Sequence, residues 1–81
     1  MAKLLYFGRL PDHLGKASEE ATLPSDISDV RGLLAWLRTR DETWRQHLAE
    51  EWVQVTVNKQ FAEMESPVTD GDEIAIVSKS L

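Results

Sequence analysis

His13 and His47 are the two histidines of the chain, and Asp70, Asp72 and Glu73 form its tightest acidic run. By residue type these are the groups best suited to hold a metal or move a proton. No glutamate or second histidine stands at ligand spacing around either histidine, so the three or four ligands that zinc needs do not assemble from sequence neighbours. The acidic run lacks the alternating oxygen ligands of a calcium loop. Beside Pro67 and Gly71 it reads as turn chemistry, with Gly71 free to take a positive φ. There is no cysteine, which removes thiolate nucleophiles, thiolate metal sites and disulfides. No glycine-rich phosphate loop is present, nor a Ser-His-Asp set that so small a domain could hold. Three tryptophans could stack bases, but core and rim packing is the preferred reading. Catalytic residues, a metal and a cofactor are therefore not expected, and the residues alone describe an acidic interaction module.

The 81 residues make one domain, 1–81. A domain of this size buries only about 60–65% of the surface its unfolded chain exposes, which leaves no room for an enclosed site with its own lid. The net charge is −5. Nucleic-acid binding rests on Lys and Arg contacts to phosphate, so no nucleic-acid partner is expected, and the charge is read as a solubility device. The N-terminus lacks a signal-peptide pattern, and no apolar run nears the roughly 20 residues that span a membrane. The expectation is a cytoplasmic protein with no membrane partner.

The elements that position these residues follow from periodicity. Lys3 to Leu10 reads as a first strand, and its contiguous Leu4-Leu5-Tyr6-Phe7 suggests cover on both faces. Leu10 to Gly15 reads as a break, with Pro11 and Gly15 as punctuation. Ala17 to Leu23 is a weak strand whose Glu19 and Glu20 suit an exposed edge. Ser28 or Asp29 can cap a helix in which Val30, Leu33, Leu34 and Leu37 fall on one face; Trp36 sits at the margin. Thr43 to Ala49 reads as a short second helix, with Trp44 and Leu48 one turn apart. Trp52 to Val57 alternates as a strand with its valines on one side, Asn58-Lys59-Gln60 turns it, and Phe61 to Glu65 is a brief fourth strand. Ile74-Ala75-Ile76-Val77 is apolar on both faces, as in a central strand. The order β-β-α-(α)-β-β-β is α+β. With the first and last strands parallel neighbours it satisfies the right-handed crossover rule and gives a β-grasp: a mixed sheet of four to five strands on one main helix plus a short second helix. A tail, Ser78, Lys79, Ser80 and Leu81, then runs off the central strand.

Leu4 to Leu10 with Leu14-Gly15, Asp29-Val30 with Leu33 and Leu37, Trp44, Val57-Asn58-Lys59, and Pro67 to Ala75 together resemble the small subunit of molybdopterin synthase, a MoaD-type sulfur carrier of the ubiquitin-like group. The likeness runs the whole length. It implies a carrier, not catalytic alone, that delivers sulfur as a C-terminal thiocarboxylate for molybdenum cofactor biosynthesis. It implies two partners, the large subunit of molybdopterin synthase and an ATP-dependent activating enzyme. It also implies that Phe7, Phe61 and Val77 dock on the large subunit while Ser78 to Leu81 form the tail. Such carriers end in Gly-Gly, and Leu81 stands where those glycines would begin, so the expectation is that they follow it in the intact carrier. The alternatives are a β-grasp binding module without sulfur chemistry, or a thiamine-type sulfur carrier.

Overall fold

The computed structural model describes residues 1–79. Five strands, β1 (Ala2–Phe7), β2 (Ser18–Ala21), β3 (Val53–Val57), β4 (Gln60–Phe61) and β5 (Glu73–Ser78), form one mixed sheet in the order β2-β1-β5-β3-β4. β5 is the middle strand, parallel to β1 and antiparallel to β3. The fold is the α+β β-grasp that the element order predicts. The crossover from β2 to β3 carries α2 (Val30–Leu37) and α3 (Glu42–His47).

The main helix, α2, starts at Asp29, whose carboxylate accepts a hydrogen bond from the Gly32 N–H at 2.8 Å. Two further donors of the first turn go to the loop ahead of β5: the Val30 N–H to the Ser66 carbonyl and the Arg31 N–H to that of Met64. Orphan donors at a helix start need such partners, and here they tie the loop across the helix. Val30, Leu33, Leu34 and Leu37 are fully buried. They meet Leu4, Tyr6, Val53, Val55, Ile74 and Ile76, the alternate residues of the three inner strands, in one core. Trp36 is half-buried at its margin. α3 is capped by Asp41 and plants Trp44 edge-on against Tyr6, ring centres 5.5 Å apart.

Several expectations need correction. β1 ends at Phe7, and the supposed break is a third short helix, α1 (Leu10–Leu14), with Pro11 in its first turn and Gly15 closing it at φ 81°. Pro at a helix start and Gly just past its end is a helix signature, read in the sequence as punctuation alone. β4 is two residues long, because a Glu63–Ser66 turn follows it at once. Positive φ falls at Gly8, Gly15, Asn58 and Lys59 rather than at Gly71. The loop before β5 is shaped instead by side chains: Asp72 accepts from the Thr69 N–H and from the Asn58 amide, and Asp70 accepts from the Leu23 N–H. β1 and β5 are covered by helices on one face only, since Leu5, Ala75 and Val77 are half-buried and Phe7 is exposed.

Candidate functional site

Successive residues of a strand point to opposite faces, so the positions between the core residues line the uncovered face. Register places them in rows. Phe7 pairs with Val77, and Val77 with Gln54. Leu5 pairs with Ala75, Ala75 with Thr56, and Thr56 with Phe61. Phe7, Val77 and Phe61, predicted as docking residues, thus share the open face. Phe7 and Val77 are direct neighbours, and Phe61 stands two strands away from Val77, one row along. Phe7 is 48% and Phe61 84% exposed, while Val77 is half-buried. The Asn58-Lys59 turn, with φ of 52° and 70°, presents Phe61 at the sheet edge; the Asn58 side chain locks it by accepting from the Glu73 N–H at 2.9 Å. Hydrogen bonds from Asn58 and then from the Thr69 backbone hold the Asp72 carboxyl below its ordinary range.

The second part of the site is the root of the tail. The Ser78 hydroxyl accepts a hydrogen bond from the Arg9 N–H at 2.9 Å, and the Lys79 N–H donates to the Trp52 carbonyl at 2.8 Å. The end of β5 is therefore gripped from both sides. Gly8, at φ 72°, is required for this, because a Cβ there would collide with the Ser78 hydroxyl. Ser80 and Leu81, the remainder of the expected tail, lie outside the described residues.

Beneath the helices a polar cluster that the sequence did not reveal ties β2 to the core. The Tyr6 hydroxyl donates to Glu19 at 2.6 Å, and Arg40 grips the same carboxylate with bonds of 2.6 and 3.1 Å. The Arg40 guanidinium also lies 4.4 Å from the centre of the Trp44 ring. Burial, reinforced by the bond to Glu19, pushes the Tyr6 hydroxyl far above its ordinary pKa, so it remains a donor. Burial alone would raise Glu19, but the bonds from Arg40 and Tyr6 outweigh it and hold the carboxyl below its ordinary value. Glu19 is thus a structural anchor as well as an edge residue.

His13 and His47 come together across α1 and α3, their rings stacked at 3.8 Å and 10°. Stacked rings do not converge their in-plane lone pairs on one point. Among the described residues no group of three or more His, Cys, Asp or Glu side chains could hold a metal ion, and no helix is long and apolar enough to cross a membrane.

The profile of the ThiS family matches residues 4–79. The molybdopterin synthase sulfur carrier subunit of Escherichia coli is 27% identical over 75 residues, which cover 93% of this chain and 90% of that protein. Among solved structures, a Pyrococcus furiosus protein described as molybdopterin converting factor, subunit 1, superposes with a TM-score of 0.79 at 25% identity, covering 98% of this chain and 97% of that one. A chain of the Amycolatopsis orientalis BexX/CysO complex superposes with a TM-score of 0.73 at 21% identity, covering 100% and 98% of the two chains; at that identity the likeness shows the fold alone.

Proposed function

The chain belongs to the ThiS family, and from that membership and the geometry of its sheet we propose that it is the sulfur-carrier small subunit of a molybdopterin synthase. The observation that carries the reading is the placing of the tail root. The last strand is the central one, its end is fixed at Ser78 and Lys79, and Phe7 and Val77 stand beside it on an uncovered apolar face. An apolar patch on a small domain favours a protein partner. A narrow tail leaving beside such a patch is delivered to a fixed place in whatever docks there. The similarity to the E. coli sulfur carrier subunit supports the molybdopterin branch.

The chemistry belongs to the tail and its partners. An activating enzyme transfers AMP from ATP to the C-terminal carboxylate and releases pyrophosphate. Sulfide-level sulfur delivered by a sulfurtransferase then attacks the acyl carbon and displaces AMP, leaving a thiocarboxylate. The tail enters the large subunit, gives its sulfur to cyclic pyranopterin monophosphate, and water hydrolyses the acyl group back to a carboxylate. This chain's own residues bind, orient and present; none acts as acid, base or nucleophile in the described part.

The test uses this chain and a version with Gly-Gly appended after Leu81, each supplied with ATP, a sulfur donor and a MoaD-type activating enzyme. Intact-mass spectrometry should show exchange of one oxygen for sulfur in the extended chain only. The unextended terminus falls about 7 Å short of the extended one, and positioned chemistry does not survive such an error. The sulfur-bearing product should then form molybdopterin with a large subunit. No exchange in the extended chain would favour a binding module without sulfur chemistry, and exchange without molybdopterin formation would favour another sulfur-carrier pathway.

A further inference from the structure

A cavity of about 320 Å³ opens at the root of the tail, between α1 and α3, with Arg9, His13, His47, Trp52, Ser78 and Lys79 in its lining. Its charge runs against that of the chain. Acidic residues outnumber Lys and Arg by 14 to 9, yet no carboxylate lines this cavity and two cations do. Neither cation is neutralised within the chain: among the described residues Lys16, Arg31, Arg40 and Arg45 are held in ion pairs, whereas Arg9 and Lys79, like Lys3 and Lys59, form none. What sets Arg9 and Lys79 apart is that they line one cavity together. The wall between them includes Trp52, an indole left 57% exposed. Trp and Arg are the residues that most often carry binding energy at protein interfaces.

We infer that this cavity is a docking site for an acidic segment of the subunit that receives the tail. The inference rests on the reading that the tail enters a partner. Charge complementarity selects an acidic occupant, since a basic or neutral segment would leave both cations unpaired. Continuity places it on the same partner. Arg9 follows Phe7 by two residues and Lys79 follows Val77 by two, so the cavity begins where the apolar face ends. The apolar face gives the partner area, and the cavity gives it direction: complementary charge steers encounter and rejects wrong orientations. Since Lys79 belongs to the tail root itself, an acidic side chain bound there also fixes the line along which the tail departs.

The experiment has two arms. In the first, the Gly-Gly-extended chain binds a molybdopterin synthase large subunit at rising salt, alongside R9E/K79E and R9K/K79R double variants. The charge reversal should weaken binding by roughly tenfold or more and flatten its salt dependence. The conservative pair should bind like the parent, and all three should melt alike, because neither side chain holds the fold. In the second arm, hexaglutamate is titrated into the chain alone and followed by NMR. It should shift the Trp52, His13 and His47 ring signals saturably, not do so in R9E/K79E, and hexalysine should leave them in place. Unchanged affinity and salt dependence in R9E/K79E would overturn the inference while leaving the sulfur-carrier reading intact. No binding of the parent to the large subunit, with hexaglutamate still shifting the cavity signals, would overturn the reading and keep the acidic site. Failure of hexaglutamate to move those signals would count against the site in either case.

Discussion

On one face of the sheet, Leu4, Tyr6, Val53, Val55, Ile74 and Ile76 lie under the helices and are at most 1% exposed. On the other, Leu5, Phe7, Thr56, Ala75 and Val77 come from the same strands, one residue out of step, with Phe61 of β4 beside them, and none is fully buried. Apolar residues stand on both faces, with Lys3, Gln54 and Glu73 among them on the open one only, so an apolar side chain does not by itself tell which face it lies on. The helices decide, because α2 can cover only one side. The consequence is a division of labour. Removing a side chain from the covered face takes cohesion from the fold, whereas, on the proposed function, removing one from the open face takes area from a partner. The tail root sits between the two, braced by backbone and a hydroxyl rather than by apolar packing.

The sharpest way to break this division is to cut into the covered face. Leu33→Ala should cost about 2–5 kcal/mol, as buried Leu→Ala changes do. That is a large part of the roughly 5–10 kcal/mol available to such a domain. Urea titration checks it, and an unchanged midpoint would mean that α2 does not hold the sheet. On the open face, Phe61→Asp should leave the urea midpoint in place and weaken large-subunit binding by about 2 kcal/mol or more, as loss of an apolar anchor does. Calorimetry of binding and unfolding on one sample separates the two. An unfolded variant would transfer Phe61 to the fold, and a fully binding one would remove it from the interface.

The tail root should respond at an intermediate level. Gly8→Ala forces a side chain into left-handed backbone, at about 1–2 kcal/mol, and into the Ser78 hydroxyl. Ser78→Ala in the same chain should recover part of the loss, read as a thermal midpoint that rises from the single to the double variant. The smallest effect concerns Glu19. Its folded pKa lies below its unfolded value of about 4.3, so its contribution is whole above that value and lost as pH falls through the folded one. With solvent screening this amounts to on the order of 1 kcal/mol. Melting from pH 6 to pH 3 should show a shallower acid decline in Glu19→Gln than in the parent. Parallel declines would mean that the Tyr6–Glu19–Arg40 cluster adds nothing net.

The sheet and α2 were legible because their signals are local and periodic. Val53 and Val55 alternate, Val30, Leu33, Leu34 and Leu37 recur at helical spacing, and Asp29 caps the helix as its position suggests. The predicted docking residues could be placed on one face because alternation carries through register. What stayed hidden depends on partners distant in sequence. The grip of Ser78 on Arg9 joins residues 69 apart, and that of Arg40 on Glu19 joins residues 21 apart. The His13–His47 stack needs α1, whose single turn is too short to show a period. The double cover expected of β1 and β5 failed for a related reason: a contiguous apolar run does not say which of its faces a helix covers, and Leu5 and Phe7 lie on the face that none does.

The division between the faces is tested most directly by the footprint of the large subunit on this chain, read residue by residue from NMR signals of the free and bound protein. Perturbation should concentrate on Phe7, Phe61, Val77 and their row neighbours Leu5, Thr56 and Ala75, continue to the tail root at Ser78 and Lys79, and spare the solvent side of α2 at Arg31 and Ala35. A footprint centred on α2, with the open face unchanged, would contradict the account.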